Sequence, residues 1–282
     1  MIKNQIKTAV LLGLMTALLL GVGSFFGRDG FFLALVIVII MNFGSYWFSD
    51  KLVLLTYRAK KASEGEYPRL FKIVREVAGL AKIPMPKVWI LPSTQSNAFA
   101  TGRNPKNASV ACTEGILNLL TDDELRGVIA HEIAHIKNRD ILISTIAGTI
   151  AGVISYVAFM ARWAAIFGGF GGRDRDGDNF MSLLLLAVVT PIMAAIIQLA
   201  ISRSREYLAD EKGAKFLGSG EGLASALEKL DKDPQRHPLR LGNRATAHLF
   251  ITNPFRARAL MSLMSTHPPM EKRIRKLKDL RF

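Results

Sequence analysis

Cysteine occurs once in these 282 residues, at Cys112, which excludes an intramolecular disulfide and suits a reducing compartment. Acidic residues are scarce too. The 23 Asp and Glu face 37 Lys and Arg, a net charge of +14. No nucleic-acid motif accompanies that surplus, so the anionic inner leaflet of a lipid bilayer explains it and a nucleic-acid partner is not expected. Internal repeats and long disordered tracts are also absent. What the chain has in excess is apolar surface, since half of its residues are hydrophobic.

Four stretches lack charge altogether: Thr8 to Gly27, Gly30 to Ser49, Ile141 to Ala161 and Phe180 to Ser202. Each has about the 20 residues that a helix needs to cross a bilayer. The first is too long for a signal-peptide core and a second follows it almost at once, so the two read as a retained hairpin. Gly148, Gly152 and Pro191 interrupt the later pair, whose apolar faces could also pack on protein.

The cations orient these spans. Lys3 and Lys7 precede the first, Lys51, Arg58, Lys60 and Lys61 follow the second, and Lys137, Arg139, Arg203 and Arg205 flank the inner ends of the later pair. The turn between the first two carries only Arg28 with Asp29. The positive-inside rule then puts both termini and the large polar segments in the cytoplasm, with Gly168 to Asn179 outside and Arg162 snorkelling to that face. Four segments result: 1–50, a transmembrane hairpin; 51–140, the first half of a catalytic domain; 141–202, a second hairpin; and 203–282, its second half with a basic tail.

The chemistry is concentrated in His131-Glu132-Ile133-Ala134-His135. Thr121-Asp122-Asp123-Glu124 matches a capping box, and Leu125, Val128, Ile129, Ile133 and Ile136 recur at three- and four-residue steps, so the motif lies on an amphipathic helix. There both imidazoles share one face and can hold a zinc ion, one per chain, while Glu132 is free to take a proton from the attacking water. A tetrahedral catalytic zinc needs a third protein ligand and an open position. Cys112 stands alone, and Ile136-Lys137-Asn138-Arg139-Asp140-Ile141 lacks the metzincin Gly and His. The best source is Ser202 to Asp210, where Glu206 and Asp210 lie one helical turn apart. One could ligate the metal and the other accept the second N–H of a ligating histidine.

With the upstream Ser96-Asn97-Ala98-Phe99-Ala100-Thr101-Gly102 and the late Ser265-Thr266-His267-Pro268-Pro269, these motifs resemble the M48 family of membrane-embedded zinc metallopeptidases, which includes the prenyl-peptide proteases, and within it a heat-shock-linked bacterial branch. The likeness spans almost the whole chain. It implies Glu206 as third zinc ligand, Asp210 behind it, and Asn97, Ala98, Phe99 and Ala100 in a strand along the substrate cleft. It also implies a place near the active site for His267, where hydrogen bonding to the oxyanion is one role and capping a Pro-fixed loop another.

Elsewhere Tyr67 to Ala81 has helical spacing, Lys87 to Pro92 reads as a short strand, and Gln95 to Thr101 with Ala108 to Thr113 reads as a hairpin across Gly102-Arg103-Asn104-Pro105. Gly222 to Leu230 is an expected helix, Asp231 to Asn243 a basic loop, His237 and His248 surface residues, and Met270 to Phe282 a basic amphipathic helix. The expected fold is α+β, mainly helical, with about four transmembrane helices and a zincin-like cytoplasmic protease domain. The expected function is zinc-dependent endopeptidase activity at the cytoplasmic (inner) membrane of a bacterium, on misfolded or damaged membrane proteins and alongside other quality-control proteases. A non-proteolytic zinc-binding holdase or scaffold, or a processing protease of one substrate, is the alternative.

Overall fold

The computed structural model describes residues 2–24, 27–140, 143, 203–233, 251 and 268–282. It opens with a helical hairpin, α1 (Ile2–Ser24) and α2 (Gly27–Thr56). The amide of Asn42 donates to Thr16 Oγ1 at 2.9 Å between them. Among the described residues one helical segment is long and apolar enough to cross a membrane, Gly27–Gly44 in α2, while α1 carries the shorter apolar run Ala9–Gly21. The expected spans at 141–161 and 180–202, and the loop at 168–179, lie outside the described residues. α2 runs unbroken to Thr56.

A four-stranded sheet follows: β1 (Lys60–Lys61), β2 (Lys87–Leu91), β3 (Ala98–Asn104) and β4 (Asn107–Thr113), in the order β1-β2-β4-β3. β4 pairs parallel to β2 and antiparallel to β3, which leaves β3 at an edge of the sheet formed by the described residues. The hairpin turn falls at Pro105 and Lys106, later than the sequence suggests, because β3 continues through an irregularity between Gly102 and Asn104. Gly102 sits at φ 134°, where a Cβ would come within 2.2 Å of the Asn107 carbonyl oxygen, so only glycine fits.

Successive side chains of a strand face opposite ways, and both faces here are buried. Val88, Ile90, Ala98, Ala100, Val110 and Cys112 join the main core with α3 (Pro68–Ala81) and α5 (Asp122–Asn138). Phe99, Ala111 and Leu91 meet Val53, Leu54 and Tyr57 from the end of α2. Pro68 starts α3 at a position with no backbone hydrogen bond to lose, and Lys82 ends it in the left-handed conformation. The short α4 (Glu114–Leu119) leads into α5, and α6 (Arg203–Leu217), α7 (Glu221–Lys232) and α8 (Met270–Asp279) complete the described helices.

Candidate metal centre

α5 begins as the sequence predicts. The Glu124 N–H donates to Thr121 Oγ1 at 3.4 Å, and the Thr121 N–H donates to the Glu124 carboxylate at 2.8 Å. Ser225 and Lys229 of α7 donate to the same carboxylate at 2.7 and 2.8 Å, so the cap also ties two helices together. Burial alone would raise the Glu124 pKa, but these donors bring it from 4.5 down to about 2.

Two turns further on, α5 presents His131 and His135 to α6. The two Nε2 atoms are 3.1 Å apart, His131 Nε2 is 3.7 Å from Glu206 Oε2, and His135 Nε2 is 3.5 Å from Glu206 Oε1. Ligand atoms held about 2.0 to 2.2 Å from a tetrahedral zinc stand about 3.3 to 3.6 Å from one another. The three contacts lie near that spacing, the two to Glu206 being made to different carboxylate oxygens, and with one atom from each residue the ligand atoms lie within 4.8 Å of one another. Two imidazoles with one carboxylate are ligands of the right chemistry for the ion. The outer nitrogens are engaged as well: His131 Nδ1 is 2.9 Å from Asp210 Oδ1, and His135 Nδ1 is 3.1 Å from Asp140 Oδ2. With Nδ1–H given to a carboxylate, Nε2 is the free lone pair that a metal requires.

Two groups that bear on the site, Asp140 and Arg273, stand outside its sequence motifs. Asp140 lies just beyond the end of α5 and is buried. Arg273, on α8, is fully buried and donates from Nε and Nη2 to Asp210 at 2.8 and 2.7 Å, with Nη1 at 3.8 Å from Glu206 Oε2. It supplies the cation that lets several carboxylates share one buried pocket. Burial would raise Asp210, yet Arg273 and His131 hold it at about 2. A hint did exist, because Arg273 precedes Leu277 by one helical turn and so shares the buried stripe of α8.

Glu132 projects from α5 toward the sheet and is buried. Burial pushes its carboxyl up, His135 opposes this, Glu206 reinforces it, and the Ala100 N–H that it accepts draws it back, leaving it at about 8. A group that gains and loses a proton near neutral pH is suited to general base and acid work.

β3 approaches the site at Ala100, and at its start the strand's backbone groups are partly taken. The Ala98 N–H donates to Asn97 Oδ1 at 3.0 Å and the Ala98 carbonyl accepts the Ile251 N–H at 3.2 Å. Asn97 is bonded on its other side to Thr113, and the Phe99 ring packs away from the pocket, 5.9 Å from Tyr57. Of the expected strand residues Asn97 to Ala100, Ala100 contacts Glu132 through its backbone N–H. His237, His248 and His267 lie outside the described residues.

Residues 64–281 match the model of peptidase family M48. The chain belongs to that family. Along its length this M48 peptidase is 52% identical over 282 residues to a protein named "Protease HtpX homolog" from Syntrophobacter fumaroxidans, covering 98% of this chain and 99% of that one. A protein of the same name from Pyrococcus furiosus is 52% identical over 276 residues, covering 98% and 95%. Among solved structures, Ste24p of S. mikatae superposes with a TM-score of 0.53 at 21% identity, covering 99% of this chain and 66% of that one, a likeness of fold. The M48 peptidase is therefore a metallopeptidase, mainly helical with a small sheet, of the HtpX type.

Proposed function

We propose that this M48 peptidase is a zinc endopeptidase of the cytoplasmic membrane, with His131, His135 and Glu206 as metal ligands, that cleaves misfolded or damaged membrane proteins on the cytoplasmic side. The observation that carries the reading is the convergence of those three ligand atoms beside Glu132 and the edge strand β3. Zinc bound there supplies a Lewis acid and lowers the pKa of its water. Glu132 takes a proton from the attacking water at its carboxylate and delivers it to the leaving nitrogen. Asp210 and Asp140 keep His131 and His135 in the tautomer with Nε2 free. Ala100 positions the Glu132 carboxylate through its N–H, while β3 offers backbone groups to an extended peptide. His267 steadies the developing oxyanion in this scheme.

The membrane setting rests on the apolar segment Gly27–Gly44 and the uncharged stretches at 141–161 and 180–202, with the positive-inside count giving the orientation. The division into 1–50, 51–140, 141–202 and 203–282 follows from the same spans. The test is cleavage of an unfolded protein by detergent-purified wild type and Glu132→Gln, with metal content measured in both. Loss of more than about 99% of cleavage with one zinc per chain retained is the expected result. Equal cleavage in both removes Glu132 as the base, and no cleavage by zinc-loaded wild type transfers the function to a binding role such as a holdase.

A further inference from the structure

α2 leaves its apolar segment at Gly44 and at once presents rings and cations. Trp47 and Phe48 are 45% and 44% exposed, and the Lys51 ammonium lies 5.4 Å above the Phe48 ring. The guanidinium of Arg103, from the far end of β3, sits 3.9 Å above the ring of Trp47. Lys106 is exposed at the tip of the β3–β4 turn, and no Asp or Glu occurs from Pro92 to Thr113. Tryptophan just beyond an apolar span belongs at headgroup depth, and Arg and Lys beside it are complementary to lipid phosphates.

The height of this turn above the apolar segment is fixed. Val53, Leu54 and Tyr57 of α2 are buried against Leu91, Phe99 and Ala111 of the sheet, so β3 is packed onto the same helix rather than tethered to it. Val53 is nine residues beyond Gly44, about 13 Å of helix.

We propose that the β3–β4 turn is a bilayer-contacting lip, in which Trp47, Arg103 and Lys106 bind the phosphates of an anionic lipid surface and hold the Asn104 end of β3 at headgroup depth. This rests on the reading of Gly27–Gly44 as a membrane span given above. The consequence is a direction of feed. A polypeptide segment emerging from the bilayer meets β3 at Asn104 and runs along it toward Ala100 and Glu132. At the other end the Ala98 carbonyl already accepts the Ile251 N–H, so the Asn104 end is the less occupied one.

The full chain is reconstituted in phosphatidylcholine vesicles containing phosphatidylglycerol, with one fluorescent maleimide at Lys106→Cys, at Ser219→Cys or at Ile37→Cys. Cys112 is fully buried, so the introduced thiol is the one labelled. Nitroxides on the lipid headgroups should quench the label at 106 severalfold more than at 219, and acyl-chain nitroxides should quench at 37. Quenching at 37 with none above the 219 level at 106 overturns the lip while leaving the span; no quenching at 37 removes the span and the lip with it. As a second reading, Arg103→Ser with Lys106→Ser should lower cleavage of a peptide anchored in the anionic vesicles, relative to the same peptide in solution, by about fivefold for each charge removed. An unchanged ratio overturns the proposal, because a purely structural loss would reduce both rates together.

Discussion

Arg273 and Asp210 are joined by two hydrogen bonds of 2.8 and 2.7 Å although 63 residues separate them, and the guanidinium is fully buried. The last helix of the chain is thereby wired to the candidate metal centre, since Asp210 in turn holds His131 Nδ1 at 2.9 Å. Removing the cation leaves a buried carboxylate with the His131 ring alone and no guanidinium to balance its charge. Arg273→Ala should therefore lower unfolding stability by about 3 to 5 kcal/mol, read by thermal or denaturant unfolding. Arg273→Lys should recover only part of this, because an ammonium cannot make the two-pronged contact. Equal stability of Arg273→Ala and wild type would show that the pair has no such weight.

The carboxylates behind the histidines give a second expectation. Asp140→Asn and Asp210→Asn each replace a charged acceptor of an imidazole N–H by a neutral amide, and each should weaken zinc binding about 10- to 100-fold in a competition titration with a chelator. An unaltered affinity in Asp140→Asn would remove the 3.1 Å contact with His135 from the account of the site.

The contribution of Glu124 to the pH dependence of stability has a definite sign. Its folded pKa of about 2 lies below its ordinary 4.5, so its contribution is complete above pH 4.5 and is lost as pH falls through 4.5 toward 2. The paired Lys229 is partly exposed, which screens the interaction, and about 2 kcal/mol is the scale expected. Glu124→Gln should thus be less stable than wild type at pH 7 by about that amount, with the gap closing by pH 2. A gap that stays constant with pH would assign the effect to helix capping alone.

How much of this was legible depends on the range of the signal. The capping box, the His131 to His135 spacing and the Glu206 to Asp210 spacing are written within a few residues, and the structure places all of them on helices. The β3–β4 hairpin was legible too, but its turn is shifted because the conformation at Gly102 carries the strand onward. The parallel pairing of β2 with β4 joins residues far apart in sequence, and nothing local encodes it. Arg273 was hidden among Lys272, Arg275, Lys276 and Lys278, since burial of one cation out of five is decided by which face of α8 meets α6. Asp140 belongs to no motif, although five residues beyond His135 the chain has just left α5 and can fold back on that ring.

The distance between the histidines and Glu206 is set by a glycine that none of the chemistry mentions. Gly213 lies on α6 where it crosses α5, and a Cβ there would stand 2.9 Å from the His131 backbone nitrogen and 3.0 Å from the Ala130 carbonyl carbon. Those are backbone atoms inside a helix and cannot step aside as a side-chain tip can. Gly213→Ala must therefore push α6 away from α5 by some tenths of an ångström, and Glu206, two turns earlier on α6, moves with it. The trio whose ligand atoms now lie within 4.8 Å would open. Overpacking of this kind costs about 1 to 3 kcal/mol, and an alanine favours the helix by less than that. The expected outcome is a less stable protein with weaker zinc binding, measured by unfolding and chelator competition. The comparison is with Gly79→Ala, which meets nothing within 4 Å and should be neutral or stabilising. Zinc affinity and stability in Gly213→Ala that match wild type would show that the helices can separate without disturbing the ligands, and the crossing would lose its role in setting the site.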